Sequence, residues 1–98
     1  MPAERVRGVY AISVAAELVS MQVQNLRVYE RRGLVEPSRT AGGSRLYSRD
    51  DIERLHRIRE LLAAGLNLAG IGHVLALEHE VTRLRAENAA LRQRDERA

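Results

Sequence analysis

Between Ser13 and Arg32 the chain has little choice of fold. Ala15 and Leu18 share one face of a short helical segment that runs to about Val19. Met21, Val23 and Leu26 line a second segment, and only a tight turn fits between the two. Ser20 is expected to cap the second helix, its hydroxyl accepting from an amide two or three residues on. The outer face of that helix then carries Gln22, Gln24, Asn25, Arg27, Arg31 and Arg32. Amide side chains near a helix start can read base edges, and arginines behind them can grip phosphates. The pattern is that of a helix-turn-helix. The same residues are also ordinary on a solvated helix, so this stretch taken alone supports either reading.

The charge distribution favours the first. The 98 residues carry a net charge of +3. Residues 1–49 hold eight arginines against four acids, a balance of +4, whereas residues 50–98 hold eight against nine, a balance of −1. A basic N-terminal half is what a polyanion-facing head requires. Every basic residue is arginine. There is no cysteine, which removes disulfides and thiol chemistry, and no Trp or Phe, so the core must be aliphatic. The run Leu61–Leu77 holds no formally charged residue, but at 17 residues with three glycines it is too short and too broken for a membrane span, which needs roughly 20 apolar residues. The polar N-terminus is no signal peptide, and a cytoplasmic, nucleoid-associated location is expected.

Residues 1–8 read as a loose lead-in, after which Val9, Tyr10 and Ile12 approach the helical pair. Gly33 suits a helix stop, and Leu34 and Val35 begin an extended stretch. Pro37, the Gly42-Gly43 pair and the alternating Arg45-Leu46-Tyr47 then read as a β-hairpin with Arg39 and Arg45 on either side of its turn. A short basic hairpin directly after a helix-turn-helix is a wing, able to reach backbone or minor groove beside the helix. Ser48 and Asp51 have the spacing of a capping box for a third helix bearing Ile52, Leu55, Ile58, Leu61 and Leu62, ended by Gly65. Asn67 can cap a fourth helix with Leu68, Ile71, Val74 and Leu75. From Val74 the period changes: Val74, Val81 and Asn88 fall at a, and Leu77, Leu84 and Leu91 at d, of a heptad seam. So narrow a seam needs another helix, either one of its own domain onto which it folds back or that of a second copy, and one polar Asn at an a position favours a homodimer in fixed register. Parallel pairing would set Glu80 against the partner's Arg85 and Glu87 against the partner's Arg92; exposed pairs of this kind decide little. The tail beyond Arg92 is expected to fray.

The order of elements and the stretches Tyr10-Ala11-Ile12-Ser13, Leu26 to Val35, Gly42-Gly43-Ser44-Arg45-Leu46-Tyr47-Ser48 and Asp51-Ile52 resemble the MerR family of bacterial transcription regulators, and within it the heat-shock repressor (HspR-like) branch. The resemblance covers about residues 9–77. It implies a mainly α fold: a winged helix-turn-helix head over 9–77 with a short hairpin wing, then a coiled-coil dimerisation helix over 78–98, usually antiparallel in the family. By position, Gln22, Gln24 and Asn25 would face bases; Arg27, Tyr29 and Arg31 would grip phosphate; Arg39, Gly42, Gly43, Arg45 and Tyr47 would form the wing contact; Ser13 lies in the first matching stretch. Val28 stands where many members carry a second tyrosine.

The expected function is a dimeric, sequence-specific DNA-binding regulator, more a repressor than an activator, on an inverted-repeat operator in double-stranded DNA. The heat-shock branch also implies a chaperone or other protein co-regulator. Two other readings use the same residues: an architectural DNA-bender of the excisionase kind, and a coiled-coil module whose basic head binds acidic proteins. An enzyme is not expected, since no base stands beside any serine and His56, His73 and His79 lack metal-ligand spacing. No cofactor or metal is expected.

Overall fold

A computed structural model describes Arg5 and residues 7–97. The lead-in expected over 1–8 therefore falls largely outside the described residues. The chain divides into two units, residues 1–66 and 67–98.

The first unit opens with β1 (Tyr10–Ala11), which runs directly into α1 (Ile12–Val19). Sequence pattern did not disclose β1. Two residues carry no periodicity, and the strand exists through remote pairing: Tyr10 lies opposite Tyr47 and Ala11 opposite Leu46, antiparallel. Helix α1 buries Ala15, Ala16 and Val19. Leu18, expected on that inner face, is 48% exposed; the helix is rotated so that Val19 takes the core position.

Ser20 also departs from expectation. It ends α1 in the left-handed conformation (φ 54°, ψ 46°), and its N–H returns to Ala16 O and Glu17 O. Met21 N–H also reaches Ala16 O at 3.0 Å, and the Arg59 guanidinium donates to Val19 O at 3.2 Å. The carbonyls left over at the end of a short helix are thus satisfied by the turn and by one remote arginine. Gln22, not Ser20, is the residue that precedes α2 (Val23–Arg31), and it makes no side-chain cap bond. Leu26 and Tyr29 are the buried residues of α2. Gly33 at φ 73° stops it, the position where a side chain would be strained.

Leu34 and Val35 are buried in an irregular connection and form no strand. The wing follows as β2 (Ser38–Arg39) and β3 (Arg45–Tyr47), with β3 central in a three-stranded sheet of order β1-β3-β2. Its turn is closed by Thr40 N–H to Ser44 O (2.8 Å), Gly43 N–H to Thr40 O (2.9 Å) and Ser44 N–H to Thr40 Oγ1 (3.1 Å).

Helix α3 (Arg49–Ala63) starts at the expected capping box: Asp51 N–H donates to Ser48 Oγ at 3.0 Å and Ser48 N–H to Asp51 Oδ2 at 2.9 Å. It contributes Leu55, Ile58 and Leu61 to the core and is the principal partner of α1. Arg5 pairs with Asp50 at 3.2 Å and with Glu53, tying residues before the sheet to this helix. Gly65, at φ 94°, lies just beyond the helix end. The aliphatic core is small, and each fully buried leucine or isoleucine in it contributes about 1.5–3 kcal/mol.

The second unit is one helix, α4 (Leu68–Arg97). Asn67 caps it, accepting from Gly70 N–H at 2.8 Å. The fourth helix and the heptad segment read separately from sequence are continuous, without a break near residue 77. The segment beyond Arg92, expected to fray, is helical through Arg97, and Arg94 and Arg97 in the last turn suit the negative end of the helix dipole. At 30 residues, α4 is about 45 Å long.

Candidate nucleic-acid interface

With Leu26 and Tyr29 facing inward, the 100° advance per residue turns the remainder of α2 outward. Gln24, Asn25, Arg27 and Arg31 are exposed, as are Gln22 before the helix and Arg32 after it. Val28 lies half-buried within this stripe. The helix therefore presents amides in its first turn and guanidiniums in its last, the order needed for a helix that enters a groove by its N-terminal end. Ser13 is exposed on the first turn of α1.

The two tyrosines assigned to this surface by resemblance lie elsewhere. Tyr29 is 4% exposed and Tyr47 fully buried, and burial raises the phenol pKa of both. The Tyr47 hydroxyl is enclosed without a hydrogen-bond partner. Both rings are core side chains; in a domain lacking Phe and Trp they supply the bulk that aliphatic residues alone would not.

The wing brings Arg39 and Arg45 together, directly opposite one another across β2 and β3. Neither stands alone. Arg39 donates to Glu30 Oε2 at 2.8 Å and to Gly43 O at 3.1 Å, and Arg45 Nε donates to Glu30 Oε1. Burial pushes the Glu30 pKa up, but Arg45 and Arg39 together outweigh it and hold the carboxyl below its ordinary range. Glu30 was missed because an acid on a polar helix reads as an ordinary solvated residue. Its signal was present in the spacing, an acid at the end of α2 followed by arginines on both legs of a hairpin. Gly42 and Gly43 form the exposed tip, and Gly43 has the positive φ (87°) that favours glycine. The local balance is strongly positive: Arg27, Arg31 and Arg32 along α2, with two wing arginines against one carboxylate.

On α4 the heptad residues are exposed in the single chain: Leu77 65%, Val81 43%, Leu84 49% and Leu91 55%, with Asn88 between them and Val74 half-buried. Apolar residues repeated along an otherwise polar helix form an uncovered stripe. The acids flanking it are engaged within the chain, Arg83 pairing with Glu80 and, at 2.7 Å, with Glu87. Among the described residues no cluster of three metal-ligating side chains occurs, and no helix is long and apolar enough to cross a membrane.

Comparison with known proteins agrees with this geometry. Residues 10–78 match the MerR HTH family regulatory protein model. The chain is 50% identical over 84 residues to the putative heat shock protein HspR of Streptomyces coelicolor, covering 85% of this chain and 56% of that protein. It is 38% identical over 73 residues to the HTH-type transcriptional regulator GlnR of Bacillus anthracis, covering 74% and 57%. The chain thus spans little more than half the length of these relatives. Among solved structures, the N-terminus of MtaN, the Bacillus subtilis multidrug transporter activator, superposes with a TM-score of 0.66 at 26% identity, covering 87% of this chain and 90% of that one. A matched model spanning well over half of the chain, over the same residues that build the helical pair, the wing and the start of α4, makes this protein a member of the MerR helix-turn-helix family of regulatory proteins.

Proposed function

We propose that the chain acts as a homodimeric, sequence-specific DNA-binding transcription regulator, and as a repressor. The observation that carries this reading is the outward stripe of α2, with Gln22, Gln24 and Asn25 at its start and Arg27, Arg31 and Arg32 toward its end, beside a basic wing. In a DNA complex the amides occupy the major groove and hydrogen-bond base edges, the arginines hold flanking phosphates, and Ser13 on the first turn of α1 adds a neutral phosphate contact. Arg39 and Arg45 extend the grip along the backbone, while Gly42 and Gly43 allow the wing tip to approach it closely. Tyr29 and Tyr47 support α2 and β3 from beneath.

Dimerisation uses the stripe of Val74, Leu77, Val81, Leu84, Asn88 and Leu91 on α4; the head is taken as 9–77 and the coil as 78–98, with the stripe beginning in the last turns of the head. A two-fold dimer requires an inverted repeat, with half-sites about one helical turn or a small multiple apart. Repression follows from occupying a promoter to the exclusion of polymerase in the cytoplasm, and a protein co-regulator of chaperone type would act on the bound dimer.

Footprinting of the purified protein on its own upstream region tests the reading, with excess random DNA at two salt concentrations. A protected inverted repeat that survives competition is expected. Protection abolished equally by random DNA, or absent at both salts, would remove sequence-specific regulation.

A further inference from the structure

Glu30 is the acid of α2, set among the arginines of that helix and the wing. It lies near the end of α2 on the flank turned toward the wing, and its side chain is only 19% exposed. One of its oxygens takes Arg45 from β3 and the other takes Arg39 from β2. Those arginines are register partners, and like charges directly opposite on paired strands repel. A single carboxylate between them cancels the repulsion and binds both legs of the hairpin to α2. Through its second bond to Gly43 O, Arg39 carries the constraint to the wing tip. The two arginines differ in exposure. Arg45 is 24% exposed and Arg39 45%, so Arg45 keeps its Nε on the carboxylate as a strut even where the rest of its guanidinium meets the backbone, and Arg39 is the one that can exchange its carboxylate for a phosphate.

We infer that Glu30 is the positioning residue that sets sequence discrimination: it contacts no DNA itself, fixes the wing in one pose on α2, and withholds the wing's charge from phosphates that are not in operator geometry. This inference rests on the proposed DNA-binding function. A residue serving stability alone would weaken all DNA binding together when changed. A carboxylate that restrains two cations should have opposite effects on random and specific DNA, because its loss releases charge and loosens geometry at once.

The test uses the full chain and two duplexes of equal length, one selected from a random library by the wild-type protein and one scrambled from it. Glu30→Gln keeps the shape and removes the charge. Its affinity for the scrambled duplex is expected to rise several-fold, with a salt slope steeper by about one unit, while the ratio of selected to scrambled affinity falls about tenfold. A parallel fall on both duplexes, or a ratio equal to wild type, overturns the inference while leaving DNA binding intact. If the wild-type protein enriches no sequence at all, the DNA-binding reading fails and this inference fails with it. Should Glu30→Gln not fold, exchange protection of the Arg45 Nε–H in the wild-type protein, followed by nitrogen-15 NMR, decides: protection both before and after adding the scrambled duplex is expected, and an unprotected Nε–H in the free protein overturns the inference.

Discussion

Replacing Leu84 with alanine tests dimerisation at the centre of the exposed α4 stripe. Full burial of a leucine side chain is worth about 1.5–3 kcal/mol relative to exposure. Leu84 is 49% exposed in the single chain, so docking a second helix gains roughly half of that, about 0.8–1.5 kcal/mol. Alanine retains part of the gain, leaving a loss of about 0.5–1 kcal/mol per protomer. Two-fold symmetry places the substitution in both helices, so the dimer loses about 1–2 kcal/mol and its dissociation constant rises about 5- to 30-fold. Sedimentation equilibrium of Leu84→Ala beside wild type measures this, with His79→Ala, off the stripe on the same helix, as the control. An unchanged dissociation constant for Leu84→Ala, or an equal change for His79→Ala, would refute the assignment of this face.

Other substitutions probe the head. Ser48→Ala removes the hydroxyl that accepts from Asp51 N–H, leaving the reciprocal backbone half of the α3 capping box, and at this buried position should cost about 1 kcal/mol, lowering the melting temperature by about 4–8 °C in calorimetry. Gly8→Ala should be more damaging than Gly43→Ala. A Cβ at Gly8 would lie 2.5 Å from the Leu46 carbonyl oxygen, which the sheet holds, whereas at Gly43 (φ 87°) it meets open space and adds only backbone strain; circular-dichroism melts of the two variants check the order. Stability should also depend on pH through Glu30. Its folded-state pKa is depressed, so its contribution is fully present above the unfolded carboxylate value of about 4.3 and is lost as pH falls through the folded value. Glu30→Gln should therefore flatten the acid limb of the stability profile; a limb as steep as wild type would contradict the clamp.

Features fixed by short-range chemistry were legible in the sequence. The Ser48–Asp51 capping box, the cap at Asn67 and the stops at Gly33 and Gly65 involve residues a few positions apart, and each stands where it was expected. The hairpin was legible for the same reason. What escaped depended on remote partners. Strand β1 exists through its pairing with Leu46 and Tyr47, and Arg59 serves the end of α1 from 40 residues away. The inner face of α1 was misjudged between Leu18 and Val19 because eight residues make barely two turns, too few for a pattern of mostly small apolar residues to fix the rotation. Ser20 illustrates a different limit: a hydroxyl between two helices fits either a cap for the second or a left-handed end for the first, and the backbone decides. Tyr29 and Tyr47 were placed on the surface by resemblance, whereas both rings are buried, Tyr29 on the same inner face of α2 as Leu26. On the candidate interface, the outward amides and arginines of α2 were legible from helical periodicity, while the carboxylate that organises the wing was not.

The most direct test of base reading by α2 is a single-position substitution scan of a selected duplex, with wild-type protein and Gln24→Ala compared. If Gln24 hydrogen-bonds a base edge, the variant should lose about 1–3 kcal/mol of discrimination at one base-pair position in each half-site and keep the rest. Discrimination that persists unchanged at every position, or falls uniformly across the site, would contradict the claim that this face of α2 reads sequence.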